Sequence, residues 1–316
     1  MNKKIEAKII ADSICPRGHR LTTFVLTFPR FILAELNTHR VFSKNSASSR
    51  AIPFEKMVKM VQENPFIPIA WMKDHKGMQG SEYIIHQEHK ELREKQWLLA
   101  REYAVEMATS MNHGLETFGG DIIDDGSGVT KQICNRLLEP FMWHTVILTA
   151  SEFSNFFELR CPKYYDGKIE HKSIKDYLKS NGTDITKYPQ DYWRTVNSGQ
   201  SEIHMMQLAE CMWDARNENI PKSLKEGEWH IPFGDNIDNE KLGKVLYNPQ
   251  VPLPHNLMDY SKEKIKISVA RCARISYLNF EGKDDYEADI KLYDSLLTSG
   301  HYSPFEHCAR IMTNHE

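Results

Sequence analysis

The sequence predicts an α/β fold, in the α+β sense, because short strand-like runs alternate with much longer helical ones. Runs rich in β-branched and aromatic residues lie at 5–11, 21–28, 144–149 and 265–270. Strong helix formers with apolar residues at helical spacing lie at 83–117, 201–216 and 286–298. No internal repeat or low-complexity tract interrupts this pattern. We therefore expect one domain over residues 1–316, with insertions at about 54–82 and 162–197.

The elements follow from local signals in chain order. A strand at 5–11 precedes a second strand that includes Phe24 to Phe28, and a short helix is predicted from Phe31 to Asn37. The longest helix stops at Gly119-Gly120, and the last one at Ser299-Gly300, because glycine commonly ends helices. Residues 162–197 show little periodicity, which is typical of an inserted surface segment.

Residues 38–50 read T-H-R-V-F-S-K-N-S-A-S-S-R and hold the densest anion-binding chemistry of the chain. They follow a predicted helix, and we expect backbone N–H groups at this element end to suit phosphate. Arg40 and Arg50 can each bind phosphate oxygens through two donors. Shorter hydrogen bonds to phosphate, sugar or base can come from Ser43, Asn45, Ser48 and Ser49. The run predicts an anion-binding loop.

A polar surface loop is the alternative interpretation of the same residues. Serine and asparagine are ordinary turn and cap residues, and the serines could cap a helix that begins near Ile52. Two arginines and a histidine interleaved at these spacings favour the binding site.

This run resembles the signature of the flavin-dependent thymidylate synthases, R-H-R-x-x-S-x-N-x-x-S-x-R-Y. The positions in register are His39, Arg40, Ser43, Asn45, Ser48 and Arg50. Thr38 stands where the family has its first arginine, and Ala51 stands where it has tyrosine. A single short pattern leaves the assignment open.

A second segment, G-H-Y-S-P-F-E-H-C at 300–308, is similar to the H-x-[ST]-P-F-E-H segment of the same family. In that family the first histidine, the hydroxyl residue and the glutamate line the flavin and folate site. The matching residues here are His301, Ser303 and Glu306. A turn histidine followed by the first turn of a helix is the alternative.

Two more segments resemble the family between these ends. Residues 128–160 are similar to a stretch in which a helix ends before proline and F-x-x-L-R follows, here F-F-E-L-R ending at Arg160. G-Q-S-E-I-H is similar to the family's A-Q-x-E-I-R, which places Gln200 in register. His204 stands where the family has an arginine near the nucleotide.

The order of the segments is unusual. In the family, the H-x-[ST]-P-F-E-H segment and a preceding A-x-R-x-S-Y-like strand come before the R-H-R signature. Here S-V-A-R-C-A-R-I-S-Y at 268–277 and H-Y-S-P-F-E-H lie at the C-terminal end. The resemblance therefore implies a circularly permuted, flavin-dependent thymidylate synthase-like fold, with a mixed sheet and long flanking helices. Permutation is tolerated when the original termini are close together.

The resemblance also implies which residues hold which ligand. The nucleotide is assigned to Ser43, Ser48, Arg50, Arg160 and Gln200, and the catalytic candidates among them are Ser48 and Arg50. FAD is assigned to His39, Arg40, Asn45, His301, Ser303 and Glu306. NADPH and methylenetetrahydrofolate are implied as co-substrates, dUMP as the substrate, and a homotetramer with shared active sites as the assembly.

The residue types agree with flavin chemistry. Methylating uracil at carbon five requires an activated pyrimidine, a one-carbon donor and a reductant. Thymidylate synthases of the other class use a cysteine in a Pro-Cys-Gln context, which none of the six cysteines has. With reduced flavin supplying the hydride, the protein orients the reactants, neutralises charge and excludes water.

Two other functions stay open. A divergent member of the family could hydroxymethylate or otherwise modify a deoxypyrimidine nucleotide. Outside the class, a catalytically silent nucleotide-binding protein could keep the fold without turnover, and the missing first arginine at Thr38 favours this reading.

Composition restricts the remaining classes. The formal net charge of −3 argues against binding to a nucleic-acid polymer. The six cysteines lack C-x-x-C spacing, so neither a zinc site nor a disulfide framework is indicated, and no other metal is predicted. No apolar run approaches a membrane span, and the charged start does not resemble a signal peptide. We expect a cytoplasmic protein.

Overall fold

A computed structural model describes residues 3–78, 80, 82–113, 127–181, 201–246, 260–275 and 285–312. Its strands are β1 (Glu6–Ile14), β2 (Arg20–Pro29), β3 (Ser43–Ser46), β4 (Trp143–Ala150), β5 (Tyr164–Tyr165), β6 (Glu170–His171), β7 (Lys222–Ser223), β8 (Trp229–His230) and β9 (Ala309–Arg310). Its helices are α1 (Leu33–Asn37), α2 (Phe54–Glu63), α3 (Gln87–His113), α4 (Lys131–Leu137), α5 (Ser154–Arg160), α6 (Ile174–Asn181), α7 (Ile203–Glu218), α8 (Asn239–Leu246), α9 (Ser261–Arg274) and α10 (Tyr286–Ser299). Short 3-10 helices lie at Arg30–Ile32, Glu139–Phe141, Gly234–Asn236 and Ser303–His307.

Five of these strands form a mixed sheet in the order β3-β4-β2-β1-β7. Neighbouring strands are antiparallel except β1 and β7, which are parallel. Thr149 of β4 lies opposite Thr23 of β2 on one side and opposite Ser43 of β3 on the other. The short strand β3 is therefore at one edge of the sheet, beside the centre of β4.

One face of the sheet, which we call the aromatic face, carries the main core. Alternate residues of a strand share a face, and on this face β2 and β4 present Phe24, Leu26, Phe28, Val146 and Leu148. They pack with apolar residues of α1, α5 and α7. Burial of these large side chains is the main stabilising contribution to the fold.

The opposite face, which we call the threonine face, is more polar. It presents Thr23 and Val25 of β2 and Ile147 and Thr149 of β4. Val25 and Ile147 belong to a small apolar cluster with residues of α9. The 3-10 helix Ser303–His307 also packs on this side, in contact with α9, β3 and β4. The C-terminal end of the described chain thus lies beside strands from its first half.

Most predicted elements are confirmed. The runs at 5–11, 21–28 and 144–149 are strands β1, β2 and β4, and the segments at 201–216 and 286–298 are α7 and α10. The helix predicted at 83–117 is α3, Gln87–His113, and it begins four residues later than predicted; residues 114–117 and the predicted stop at Gly119-Gly120 lie outside the described part. Gly300 ends α10 in the left-handed conformation, at φ 74°, as its position predicted.

The strand predicted at 265–270 is wrong, because these residues lie inside helix α9. The run alternates apolar and polar residues for only a few positions, and a short run of this kind does not separate a strand from a buried helix. Alanine, lysine and arginine around it favour a helix, and the buried face of α9 includes Ile267 and Ala270.

The predicted loop at 38–50 is also only partly correct, since Ser43–Ser46 form strand β3. The helix expected near Ile52 begins at Phe54, and its N-cap is Pro53 without a side-chain hydrogen bond. The serines therefore do not cap it. None of the described helices is long and apolar enough to cross a membrane. The single-domain organisation and the two insertions stay predictions.

Candidate functional site

The signature run, residues 38–50, folds around the free edge of the sheet. It begins at the C-terminal end of α1, where Thr38 is the C-cap, and continues through β3 into a turn. A helix C-terminus exposes carbonyl groups, so the expectation of free backbone N–H groups at this end is wrong. The ammonium group of Lys44 instead donates to the carbonyl oxygens of Leu36 and His39, at 3.4 and 3.0 Å.

A polar cluster lies at the end of this run that adjoins the aromatic face. Arg160, the last residue of α5, donates from Nε to Nε2 of His39 at 3.0 Å and from a terminal nitrogen to Oγ of Ser201 at 3.1 Å. Its guanidinium also lies 3.7 Å from a carboxylate oxygen of Glu35. The structure thus brings together two predicted ligand-binding residues, His39 and Arg160.

The charges in this cluster favour a neutral imidazole. Burial, together with the nearby cations Arg160 and Lys44, lowers the pKa of His39. Because the arginine Nε always carries a proton, Nε2 of His39 must accept, which places the histidine proton on Nδ1. Burial, followed by the charge of Glu202, raises the pKa of Glu35.

The other side of β3 faces the C-terminal segments. Asn45 donates from Nδ2 to the carbonyl oxygen of Cys272 in α9 at 2.6 Å, across 227 positions of sequence. The 3-10 helix Ser303–His307 contacts β3 as well. His307 is hydrogen-bonded through Nδ1 to the hydroxyl of Thr149, which pairs with Ser43 in the sheet. The segments that resemble one family at opposite ends of the chain therefore meet at one sheet edge.

The remaining charged candidates point to solvent. Arg40 and Arg50, which precede and follow β3, are both exposed, and neither side chain makes a hydrogen bond or ion pair with another described residue. Ser303 and Glu306 are exposed beside β3. His301 is exposed too, and its Nδ1 is hydrogen-bonded to Oγ of Ser299 at 2.9 Å.

The turn after β3 is held by buried polar groups. Ser48 accepts the backbone N–H of Ala51 at 3.0 Å, and its own side chain is half-buried. Asn135, which is fully buried, donates to the carbonyl oxygens of Ser49 and Ile52 at 2.7 and 2.9 Å. These contacts fix the backbone that carries Ser48 and Arg50, the two catalytic candidates.

His204 does not replace the family's arginine as a ligand contact. It is 2% exposed, and its Nε2 accepts the backbone N–H of Ile69 at 3.0 Å. Its Nδ1 therefore carries the proton and donates to Glu202, the N-cap residue of α7. Both ring nitrogens are occupied by structural contacts. Gln200, four positions earlier, lies outside the described residues.

The structure divides the predicted residues into three groups. His39 and Arg160 contact each other on one side of β3, while Ser43 and Asn45 lie in β3 next to the segment with Ser303 and Glu306. Arg40 and Arg50 flank the strand. Sequence analysis missed Glu35, Lys44 and Ser201, since a single glutamate, lysine or serine carries no local signal of function.

No metal site or disulfide is formed by the described residues. All six cysteines are among them and all are free thiols. No group of three histidine, cysteine, aspartate or glutamate side chains in the described ranges is placed to hold a metal ion.

Similarity to known proteins is found among solved structures. No protein-family model matches the chain, and no curated protein sequence matches it. Among solved structures, it is similar to the UMP/dUMP methylase PolB from Streptomyces cacaoi bound with 5-Br UMP, with a TM-score of 0.43 and 15% identity over 68% of this chain and 89% of that one. The same methylase bound with 5-Br dUMP is similar with a TM-score of 0.38 and 13% identity over 57% of this chain and 88% of that one.

Proposed function

We propose that the protein is a flavin-dependent thymidylate synthase-like enzyme that transfers a one-carbon unit from methylenetetrahydrofolate to dUMP, with FAD as cofactor and NADPH as reductant. One observation carries the proposal. The two segments that resemble the family's signatures, residues 38–50 and 300–308, are neighbours at the β3 edge although they lie at opposite ends of the chain. Such an arrangement is what a circularly permuted member of the family requires.

The side chains at this edge fit a phosphate-bearing cofactor and a nucleotide. Arg40 and Arg50 are exposed cations without a partner among the described residues, and bidentate arginine contacts suit phosphate oxygens. We assign FAD to His39, Arg40, Asn45, His301, Ser303 and Glu306. The nucleotide is assigned to Ser43, Ser48, Arg50, Arg160 and Gln200. When bound, the flavin would supply the hydride that the reaction consumes.

Several of these residues have roles that follow from their contacts. Arg160 is held by His39 and Ser201, so its guanidinium is already oriented before a ligand arrives. A pre-oriented cation stabilises negative charge on the uracil ring without the cost of reorganising side chains. Arg50 follows a turn anchored by Asn135 and is placed to neutralise the nucleotide phosphate. The side-chain amide of Asn45 donates to the carbonyl oxygen of Cys272, so the side-chain oxygen of Asn45 is left to accept a hydrogen bond from a ligand.

Hydroxymethylation or another modification of a deoxypyrimidine nucleotide is the second candidate, and Thr38 favours it. This residue replaces the family's first arginine, and its hydroxyl donates to the carbonyl oxygen of Glu35 at 2.7 Å. A threonine that caps α1 supplies no positive charge to a ligand. The altered charge at this position is a physical reason for a different product.

A homotetramer with shared sites belongs to the proposal. Helix α3 presents exposed apolar side chains over most of its length, and they are Leu92, Leu99, Tyr103, Met107 and Met111. A surface stripe of this kind on a long helix suits contact with another copy of the chain.

The test of the proposal is product identification. Purified protein is inspected for flavin absorbance, reconstituted with FAD if colourless, and then incubated with dUMP, methylenetetrahydrofolate and NADPH. Thymidylate identified by mass supports the first candidate, and a hydroxymethylated nucleotide supports the second. A protein that cannot be loaded with FAD contradicts both. Nucleotide binding without turnover in the loaded protein would support the silent binding protein.

Single substitutions test the assignment of residues to ligands. Arg50→Ala should weaken nucleotide binding with little change in flavin content, whereas His301→Ala should mainly weaken flavin or folate binding. Titration of each ligand by fluorescence or calorimetry separates the two. Equal losses for all ligands in both variants would contradict the division.

A further inference from the structure

Five buried side chains on the threonine face form a continuous hydrogen-bonded chain, which we call the buried chain. In spatial order they are Ser13, His230, Thr23, Thr149 and His307. The four contacts between successive members are 2.9, 2.8, 2.8 and 2.8 Å long. No member is more than 7% exposed. The buried chain connects five elements, from β1 through β8, β2 and β4 to the 3-10 helix 303–307.

The two ends of the buried chain lie in different surroundings. Ser13 and His230 line a cavity of about 290 Å³, whose other walls come from the turn after β1 and from residues 309–312. That volume holds several water molecules, at roughly 30 Å³ each. At the other end, Nε2 of His307 is buried and has no partner among the described residues. An unpaired buried nitrogen costs free energy unless a bound group completes it.

All members of the buried chain can both donate and accept. Burial lowers the pKa of His230 to about 4 and that of His307 to about 4, so both imidazoles are neutral at neutral pH. A neutral imidazole has one N–H donor and one acceptor nitrogen, and a hydroxyl has both functions. Every link can therefore be satisfied in either of two directions.

The two directions differ in where the terminal proton sits. In the first, Ser13 donates to Nδ1 of His230, whose Nε2 donates to Thr23. Thr23 then donates to Thr149, which donates to Nδ1 of His307, and Nε2 of His307 carries a proton. In the second direction each donor becomes an acceptor, and Nε2 of His307 is a bare acceptor.

We propose that the buried chain is a proton relay between the cavity and the ligand held by residues 301–306. When Nε2 of His307 gives its proton to the ligand, Thr149 protonates Nδ1 of the same ring. Each member passes one proton along, and Ser13 takes one from water in the cavity. One proton enters the buried chain at Ser13, one leaves it at His307, and no charge remains on the buried chain. Run backwards, the relay removes a proton from the ligand to the same water.

The relay defines the class of ligand that it serves. Its partner is a ligand atom that gains or loses a proton during the reaction, as the ring nitrogens of many heterocycles do. Flavins and folates belong to this class, so the choice between them rests on the proposed function. The ligand end of the relay rests on it as well, whereas the continuity of the buried chain depends only on the contacts between its members.

The first experiment needs no activity. Ring ¹⁵N NMR of His230 and His307 at neutral pH reports which nitrogen of each imidazole is protonated. A continuous chain requires matched tautomers, with both protons on Nε2 or both on Nδ1. Opposite tautomers in the wild-type protein would overturn the relay whatever the enzyme's product is.

The second experiment measures turnover. Thr149→Val removes the hydroxyl in the middle of the relay, Thr149→Ser keeps it, and Thr145→Val is the matched control on the same face of β4. We expect kcat to fall roughly 10- to 100-fold in T149V, with KM and flavin content unchanged. T149S should keep most of the activity, and T145V all of it.

The outcomes separate the relay from the proposed function. A wild-type protein without product contradicts the function and leaves the NMR result to decide the relay. A wild-type protein with product and an unchanged kcat in T149V contradicts the relay alone. Equal losses in T149V and T149S would assign these residues a packing role and overturn the relay. If T149V does not fold, the solvent isotope effect on kcat is measured instead in Thr23→Ser and Thr149→Ser, which both keep a hydroxyl group. Retention of the wild-type isotope effect in these variants supports the relay, and its loss opposes the relay.

Discussion

The two faces of the central sheet are built from the same strands but have opposite chemistry. On the aromatic face, Phe24 and Leu26 are fully buried among helices α1, α5 and α7. On the threonine face, the adjacent residue Thr23 is equally buried but belongs to a hydrogen-bonded chain with histidines. Burial alone therefore does not distinguish a stabilising core from a polar one. What distinguishes them is whether the buried atoms have partners.

This difference predicts how the faces respond to substitution. Apolar contacts stabilise in proportion to the area removed from water. Buried polar contacts add little net stability when satisfied, but leave costly unpaired groups when one partner is removed. The aromatic face should therefore control stability, while the threonine face and the β3 edge control protonation and ligand binding.

The largest effect is expected on the aromatic face. Phe24→Ala removes a fully buried ring that packs edge-on against Phe153, with ring centroids 5.7 Å apart. We expect the free energy of unfolding to fall by roughly 3–5 kcal/mol, measured by urea denaturation. Ile220→Ala is the control, because Ile220 is 91% exposed and its loss should be nearly neutral. A small effect at Phe24 would show that the aromatic face is not the main core.

The next effect is a loss of folding stability at acid pH, which we expect from the buried histidines of the threonine face. Burial lowers the folded-state pKa of His230 and His307 to about 4, below an unfolded value of roughly 6.5. Between these values the unfolded state binds more protons than the folded state. The contribution of the two histidines to the free energy of unfolding is therefore fully present above pH ~6.5 and is lost as the pH falls through about 4. Each histidine should account for roughly 3 kcal/mol of that loss.

A substitution tests whether His307 contributes to this loss of stability at acid pH. His307→Gln should reduce the number of protons taken up on unfolding near pH 5 by about one. The measurement is the slope of unfolding free energy against pH in the wild type and the variant. His301→Gln is the control, since this histidine is exposed. An unchanged slope in H307Q would mean that His307 is not held neutral by burial.

A smaller effect is expected where the β3 edge is tied to α9. Asn45→Ala removes the donor to the carbonyl oxygen of Cys272, which is otherwise buried in the helix. The cost should be roughly 1–2 kcal/mol. If Asn45 also contacts the flavin as proposed, the affinity for FAD should fall in the same variant. A stability loss with unchanged affinity would restrict Asn45 to a structural role.

The strands and long helices were predictable from sequence because their periodicity is local. The strand predicted at 265–270 failed for the same reason, since a run of six residues carries too little periodicity to compete with the helix formers around it. Strand β3 was missed because its polar residues have low strand propensity. It forms through pairing with β4, a contact about 100 positions away in sequence.

The candidate site was predictable in part. Motif resemblance selected Asn45 and the segment of Ser303 and Glu306, and the structure places that segment beside β3. The buried chain could not be predicted, because its threonines and histidines come from separate segments and have no spacing signal. The partner of His39 was not predictable either, since His39 and Arg160 meet across 121 positions of sequence.

The smallest stability effect and the largest ligand effect should coincide at the exposed arginines. Arg40 and Arg50 are exposed and their side chains make no hydrogen bond or ion pair with a described residue, so alanine at either position should change the unfolding free energy by less than about 0.5 kcal/mol. A lost charge-assisted hydrogen bond to phosphate costs about 1.5–3 kcal/mol of binding. We therefore expect affinity to fall roughly 10- to 100-fold, for FAD in R40A and for dUMP in R50A. Arg136→Ala on α4, also exposed, is the matched control. Loss of stability without loss of affinity would assign these arginines to the fold, and the contrast between a structural core and a binding edge would then not hold at β3.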